Sequence, residues 1–376
     1  MSLPFLPFTR PTLDEDTIQG VVDVLRSGWL ATGPNVARFE AALSDYVGGR
    51  PVRVMTSATA GLEIALLAAG IGPGDEVITP ALSFVATANV IARVGAKPVF
   101  CDVELATRNL DLAQVERLVT PATRALMPVH FAGLPLDSDA LYGLARRHRL
   151  RVIEDAAHAI GSGPPGRRIG SHGDLVCFSF HPNKNMTTLE GGALVADDPA
   201  ELAAIDLHRF HGLERYADGT MEVSLPGGKC NLTDVAARVG LGQLPQLDGF
   251  NDRRRQLAGR YLQQLATEPR LQLPVRGDDG HSWHMFNPLL DLPALRINRG
   301  QFIELMRARG IGVGVHYPAI HLFRYYRSLG YRDGDFPNAE RIGQQIVTLP
   351  LFPAMSDADV DRVCAAVREI LVENGR

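Results

Sequence analysis

Val52-Arg53-Val54-Met55-Thr56-Ser57-Ala58-Thr59-Ala60-Gly61 runs from a β-branched stretch into small residues at helical spacing. A strand that feeds a helix through so short a link is the repeating unit of an α/β sheet. Outward from it the pattern recurs. Apolar runs at Glu76 to Thr79, Pro98 to Val103, Arg124 to Val129 and Arg151 to Glu154 alternate with helical stretches. The helical stretches are Ala58 to Ala69, Phe84 to Val94, Leu112 to Val119 and Ser138 to His148. Strands apolar on both faces belong to a mostly parallel sheet with helices on each side. Two further strands, Leu175 to Phe180 and Gly192 to Ala196, flank a polar loop. Beyond them Gly212 to Gly228 reads as a loop, and helices are expected from about Asn231 and over Asp252 to Leu265. A strand near Trp283 to Leu290 and helices over Arg299 to Arg309 and Asp357 to Glu373 complete the chain. The expected architecture is α/β, with a large sheet domain over residues 1–248 and a smaller α+β domain over residues 249–376.

The 376 residues suit two domains at roughly 150 residues each. A formal charge of −4 offers no global basic field for nucleic acid or an anionic membrane, so any anion must be held locally. The start of the chain has no basic run and carries three prolines in its first eleven residues, unlike a signal peptide. No apolar run reaches the length of a membrane span. Four cysteines far apart, with no C-x-x-C pair, suggest a reducing, cytoplasmic setting.

Gly70-Ile71-Gly72-Pro73-Gly74 invites a dinucleotide reading, but it follows a helix and precedes a strand, the reverse of the Rossmann order. It reads as a turn. The phosphate candidate is Ser57-Ala58-Thr59, where a strand opens a helix whose first N–H groups are free. Plain N-capping would use the same residues. Asp155 ends the apolar run Val152-Ile153-Glu154-Asp155, at the sheet edge where α/β ligand sites cluster. Lys184 lies just past another strand, in Phe178-Ser179-Phe180-His181-Pro182-Asn183-Lys184. A solvated loop lysine is one reading, and a desolvated Schiff-base lysine the other. One cofactor uses all three groups: pyridoxal 5′-phosphate (PLP) needs a Schiff-base lysine, an acid opposite its ring nitrogen and a phosphate cup.

The chain resembles the DegT/DnrJ/EryC1/StrS family of PLP-dependent nucleotide-sugar aminotransferases almost from end to end. The resemblance is carried by Ser27 to Pro34, SATAG (Ser57 to Gly61), GDEVITP (Gly74 to Pro80), EDAAHA-x-G (Glu154 to Gly161), FSFHP-x-KN (Phe178 to Asn185), EGG (Glu190 to Gly192) and NLTD (Asn231 to Asp234). It implies fold type I of the PLP enzymes. It also implies Lys184 and Asp155 as catalytic residues, with the cofactor held covalently on Lys184. Ser57, Ala58, Thr59 and Ser179 would hold the phosphate, and His158 would lie near the phenolic oxygen. Phe84 would stack on the ring, unless it packs in the core. Asn231 would reach the phosphate of a neighbouring subunit, making a homodimer part of the site, unless it caps the following helix. Trp29, Thr32, His316, Tyr317 and His321 match segments that face the nucleotide sugar.

The implied reaction is ping-pong transfer of the amino group of L-glutamate to a nucleotide-linked 4-keto sugar. PF-x-RP near the start, HGL after Phe210 and K-x-NLTD resemble the members that aminate a UDP-4-keto-pentose for lipid A modification. A UDP- or dTDP-4-keto-6-deoxyhexose is the alternative. Sugar dehydratases of the family replace the lysine with histidine, so Lys184 argues against dehydration. A silent cofactor-binding regulator would not need lysine, acid and phosphate residues together. The pairs His208/His211 and His281/His284 lack the context of a zinc site, and no metal is expected.

Overall fold

The computed structural model describes residues 4–164, 166–277 and 280–376. Seven strands form the central sheet: β1 (Val52–Met55), β2 (Glu76–Pro80), β3 (Lys97–Cys101), β4 (Thr123–Leu126), β5 (Arg151–Asp155), β6 (Leu175–Ser179) and β7 (Gly192–Val195). Their order is β1-β7-β6-β5-β4-β2-β3. All pairings are parallel except those of β7, which runs against both β1 and β6. The sheet is therefore mixed, with one reversed strand. No helix lies between β6 and β7, so the chain returns antiparallel beside β6 without the covering crossover a parallel pair needs.

Helices α1 (Glu15–Ser27) and α2 (Pro34–Tyr46) precede the sheet. Between strands lie α3 (Ala58–Ala68), α4 (Ala86–Arg93), α5 (Leu112–Leu118) and α6 (Ser138–His148). After β7 come α7 (Pro199–Arg209), α8 (Asp234–Gln243) and α9 (Leu247–Leu265). Alternation along β6 shows how the sheet is covered. Val176 and Phe178 pack with Phe39, Leu43 and Ala237, from α2 and α8. Leu175 and Cys177 point the other way, to Leu62, Val90 and Ile205 of α3, α4 and α7. Successive side chains on a strand face opposite ways, so a run apolar throughout must be buried on both sides.

A separate core lies toward the C-terminus. Leu257 and Tyr261 of α9 pack with Phe302 and Met306 of α10 (Arg299–Ala308). Short helices α11 (Arg324–Ser328) and α12 (Pro337–Gln345) lead to α13 (Asp357–Glu373), whose Val363, Val367 and Ile370 close that core. Ser356 and Asp359 form a capping box at the start of α13. Leu6 packs in the same core, so the first described residues return to the end of the chain.

Several local expectations are corrected. The helix expected from Asn231 starts at Asp234, because Thr233 Oγ1 is the cap, accepting from Ala236 N at 3.2 Å. The expected loop at Gly212 to Gly228 holds a small hairpin, β8 (Leu213–Arg215) with β9 (Met221–Val223). Of the expected strand at Trp283 to Leu290, β11 (Leu289–Leu290) pairs with β10 (Leu271–Gln272), while Phe286 and Leu289 make isolated bridges to Leu349 and Ile346. The helix expected from Asp252 begins at Leu247. Gly70 to Gly74 is a turn from α3 to β2, with Asp75 N donating to Gly72 O at 3.1 Å.

Candidate active site

The C-terminal ends of β1, β5 and β6 lie on one edge of the sheet, with the start of β7 among them. Register sets them side by side, Met55 opposite Gly192 and Ser179 opposite Gly192. On that edge opens a cleft of about 360 Å³. Its lining gathers ten of the residues singled out from sequence: Ser57, Ala58, Thr59, Phe84, Asp155, His158, Ser179, Lys184, His316 and Tyr317.

One wall is the start of α3. Ser57 caps the helix, its Oγ accepting from Ala60 N at 3.1 Å, so the capping and anion readings are not exclusive. First-turn N–H groups have no partner inside a helix and favour an anion. Gly192 lets β7 approach this turn. A Cβ there would fall 2.4 Å from Ala58 N and 2.5 Å from Ser57 C. Ser179, at the end of β6, adds a hydroxyl to the same corner.

The floor carries the acid. Asp155 is buried, its Oδ2 accepting from Thr87 Oγ1 at 2.7 Å and its Oδ1 from Ala157 N at 3.1 Å. Burial raises its pKa, and the bonds from Thr87 and Ala157 and the charge of Lys184 oppose this. Lys184 sits in a turn after β6, Lys184 N donating to His181 O at 2.8 Å. The next residue is locked, Asn185 Nδ2 donating to Asn251 Oδ1 at 2.6 Å and to Ser282 O at 2.9 Å. Burial pushes the Lys184 ammonium down to about 8, while Asp155 holds it up.

Imidazoles and aromatic rings close the cleft. His158 stacks on His284 with centroids 4.5 Å apart, and its Nε2 lies 3.3 Å from Tyr317 Oη. Burial, with the nearby Lys184 charge, keeps His158 neutral well below the usual histidine range. Burial takes His316 down to about 4 for the same two reasons. Phe84 is 53% exposed and faces the cleft, its ring 5.7 Å from that of Tyr317, so it is not core packing.

The cleft suits PLP. His158 Nδ1 is buried with no protein partner, and the first turn of α3 offers unused donors. A lysine with a lowered pKa and a buried acid share the same space. Those are the groups that such a cofactor engages.

Four expected site residues lie elsewhere. Asn231, Thr32 and Trp29 form a second group: Asn231 Nδ2 bonds Thr32 Oγ1, and Trp29 Nε1 donates to Thr32 O at 3.1 Å. Thr32 and Asn231 line an outer depression of about 560 Å³ with Arg53 and Arg209, not the cleft. His321 is corrected outright. The turn Ile320–Leu322 points it into the core, where Nε2 meets Glu340 Oε1 at 3.0 Å and the ring packs edge-on to Phe336.

Sequence reasoning assigned no role to Thr87 or Ser83, although both follow a strand end and stand i,i+4 around Phe84. His284, which in sequence only lacks the context of a metal ligand, stacks its ring directly on His158. Among the described residues no group of three or more His, Cys, Asp or Glu could hold a metal ion. Nor, among them, is any helix long and apolar enough to cross a membrane.

The model of the DegT/DnrJ/EryC1/StrS aminotransferase family matches residues 11–368. The spore coat polysaccharide biosynthesis protein SpsC of Bacillus subtilis (strain 168) is 42% identical over 378 residues, covering 98% of this chain and 97% of its own. Among solved structures, Streptococcus pneumoniae Spr1654, described as a sugar aminotransferase in its PLP form, superposes with a TM-score of 0.92 at 31% identity, covering 99% of each chain. S. venezuelae DesV superposes at 0.89 with 35% identity, covering 98% of each chain. A likeness that holds along nearly the whole length, in sequence and in fold alike, makes this chain a member of the DegT/DnrJ/EryC1/StrS aminotransferase family, and thus a PLP-dependent sugar aminotransferase.

Proposed function

We propose that the chain moves the amino group of L-glutamate to the keto carbon of a nucleotide-linked 4-keto sugar, releasing 2-oxoglutarate before the sugar enters. The observation that carries this reading is the shared cleft of Lys184 and Asp155, each within reach of the other's charge. PLP, when bound, supplies a carbonyl that exchanges amines and a ring that stores an electron pair. Lys184 Nζ holds the cofactor and, once free, is the base that takes the proton from the amino-bearing carbon. A pKa near 8 suits that role, since the amine is then partly neutral at working pH. Asp155 keeps the ring nitrogen protonated. Of the residues lining the cleft, Ser57, Ala58, Thr59 and Ser179 would hold the phosphate, Phe84 would offer its exposed face to the ring, and His158 would stand beside the phenolic oxygen. Burial makes His158 and His316 weaker bases than a free imidazole, which favours Lys184 as the proton carrier.

The proposed unit is a homodimer. Asn231, Thr32 and Trp29 lie outside their own chain's cleft, on a surface that can complete the cleft of a second copy. There Asn231 of the partner subunit would reach the phosphate. His316 and Tyr317, in the cleft itself, are the proposed contacts to the sugar.

For the sugar, a UDP-4-keto-pentose rests on the segments PF-x-RP, HGL and K-x-NLTD. A 4-keto-6-deoxyhexose on UDP or dTDP is the second reading, kept because the 42% identical SpsC is a spore coat polysaccharide biosynthesis protein, a role apart from lipid A. Mass spectrometry after glutamate is offered with a panel of UDP- and dTDP-4-keto sugars tests both. One amino sugar should accumulate in step with 2-oxoglutarate, and Lys184→Ala should abolish both. Full turnover in that variant would end the assignment.

A further inference from the structure

The turn that presents Phe84 to the cleft also reaches the acid. Thr87 N donates to Phe84 O at 3.2 Å, closing the turn at the start of α4. The Thr87 hydroxyl has three oxygen neighbours: Asp155 Oδ2 at 2.7 Å, Ser83 Oγ at 2.9 Å and Phe84 O at 3.1 Å. Ser83, Thr87 and Asp155 are all buried, so these short bonds lie in a desolvated setting. A hydroxyl has one proton to give. The carboxylate oxygen is both the nearest acceptor and the charged one, so it takes that proton. The Ser83 hydroxyl then donates to Thr87 Oγ1, which completes a one-way relay from Ser83 through Thr87 to Asp155.

The other carboxylate oxygen takes Ala157 N–H at 3.1 Å. One donor on each oxygen fixes the plane of the carboxylate and leaves lone pairs for a ligand. Among the influences that keep the buried carboxylate charged, the Thr87 bond is the largest, ahead of the Ala157 N–H and the charge of Lys184.

We propose that Thr87 is a positioning residue of the transamination site, its hydroxyl, oriented by Ser83, holding the Asp155 carboxylate in place for the ring nitrogen of PLP. This rests on the reading of Asp155 as the acid at that nitrogen. One turn would then set both faces of recognition, the Phe84 ring and the acid, so neither drifts relative to the other.

The test measures binding of pyridoxamine phosphate to the full-length protein, because that form has no covalent bond to Lys184 to mask the loss. Thr87→Val keeps the shape and removes the hydroxyl. Its affinity should fall about tenfold, while Thr87→Ser should return to within about twofold of the parent. Asp155→Asn should bind weakly, and adding Thr87→Val to it should cost nothing more, since Thr87 acts through Asp155. Parent-like binding by Thr87→Val, failure of Thr87→Ser to restore it, or losses that add in the double variant would each overturn the proposal. Thr87→Ala gives the same comparison should valine perturb the fold. Parent-like binding by Asp155→Asn would instead sink the reading of the acid itself, and Thr87's role with it.

Discussion

Glu154 and Asp155 are neighbours at the end of β5, both buried, and the fold treats them in opposite ways. Glu154 faces away from the cleft into a closed set of partners. Its Oε2 lies 2.7 Å from His130 Nε2 and its Oε1 accepts from Tyr142 Oη at 2.6 Å. His130 Nδ1 accepts from Leu136 N at 3.1 Å, so the ring proton is on Nε2 and goes to Glu154. Even Gly173 leaves room for it, since a Cβ there would sit 2.5 Å from Glu154 Oε1. Asp155, one residue on, opens to the cleft and to Lys184. Burial is therefore no mark of a functional acid; an unfilled set of partners beside a cation is.

The contrast can be broken most sharply by turnover. Lys184→Ala should lose about a thousandfold or more in 2-oxoglutarate production, and Asp155→Asn about a hundredfold. Asp155→Asn should not lower the melting temperature of the cofactor-free protein. The freed Thr87 hydroxyl still has Phe84 O within 3.1 Å, so no donor is orphaned. Glu154→Ala should behave in the reverse sense. It leaves the His130 N–H and Tyr142 O–H buried without an acceptor, at about 1–3 kcal/mol each, so the melting temperature falls while the cofactor still binds. Lost turnover at an unchanged melting temperature in Glu154→Ala would collapse the distinction.

A smaller effect is expected in pH dependence. Burial lowers the Lys184 pKa to about 8, so the neutral amine is lost as pH falls through 8, not through the usual lysine range. The rate at which cofactor-free protein captures PLP should therefore rise to a plateau with a midpoint near 8. Asp155 raises that pKa, so Asp155→Asn should move the midpoint lower, whereas Glu154→Gln should leave it in place. Stopped-flow absorbance reads this directly, and a midpoint in the usual lysine range would deny the desolvated environment. The smallest change is expected at His321. Its partner is Glu340 and not the cleft, so His321→Asn should alter stability by about 1 kcal/mol and leave KM for the sugar unmoved.

Much of the site was legible along the chain, because its parts sit at strand ends that apolar patterning marks. Val52–Met55 leading into Ser57, Arg151–Asp155, and Leu175–Ser179 leading to Lys184 emerge from the alternation, and the sheet edge gathers them. The strand expected at Trp283 to Leu290 is broken up for a physical reason. Its backbone bonds to separate segments in turn, His284 N donating to Ala132 O at 2.9 Å while Phe286 O accepts from Leu349 N at 3.0 Å and Pro288 O from Val347 N at 3.1 Å, so no single partner strand runs along it. His321 shows the same limit. It shares a short motif with His316 and Tyr317, yet a three-residue turn sends its ring to Glu340.

Local sequence, then, determined the α/β alternation, the lysine after one strand and the pair of acids ending another, since backbone period and turn chemistry act over a few residues. Tertiary structure decided which acid is open, which histidines stack beside it, and which expected contacts leave the cleft. Those outcomes depend on partners distant in sequence, such as Thr87 for Asp155, His284 for His158 and Thr32 for Asn231. Burial then sets the charge each group carries, and only the packed fold establishes that burial.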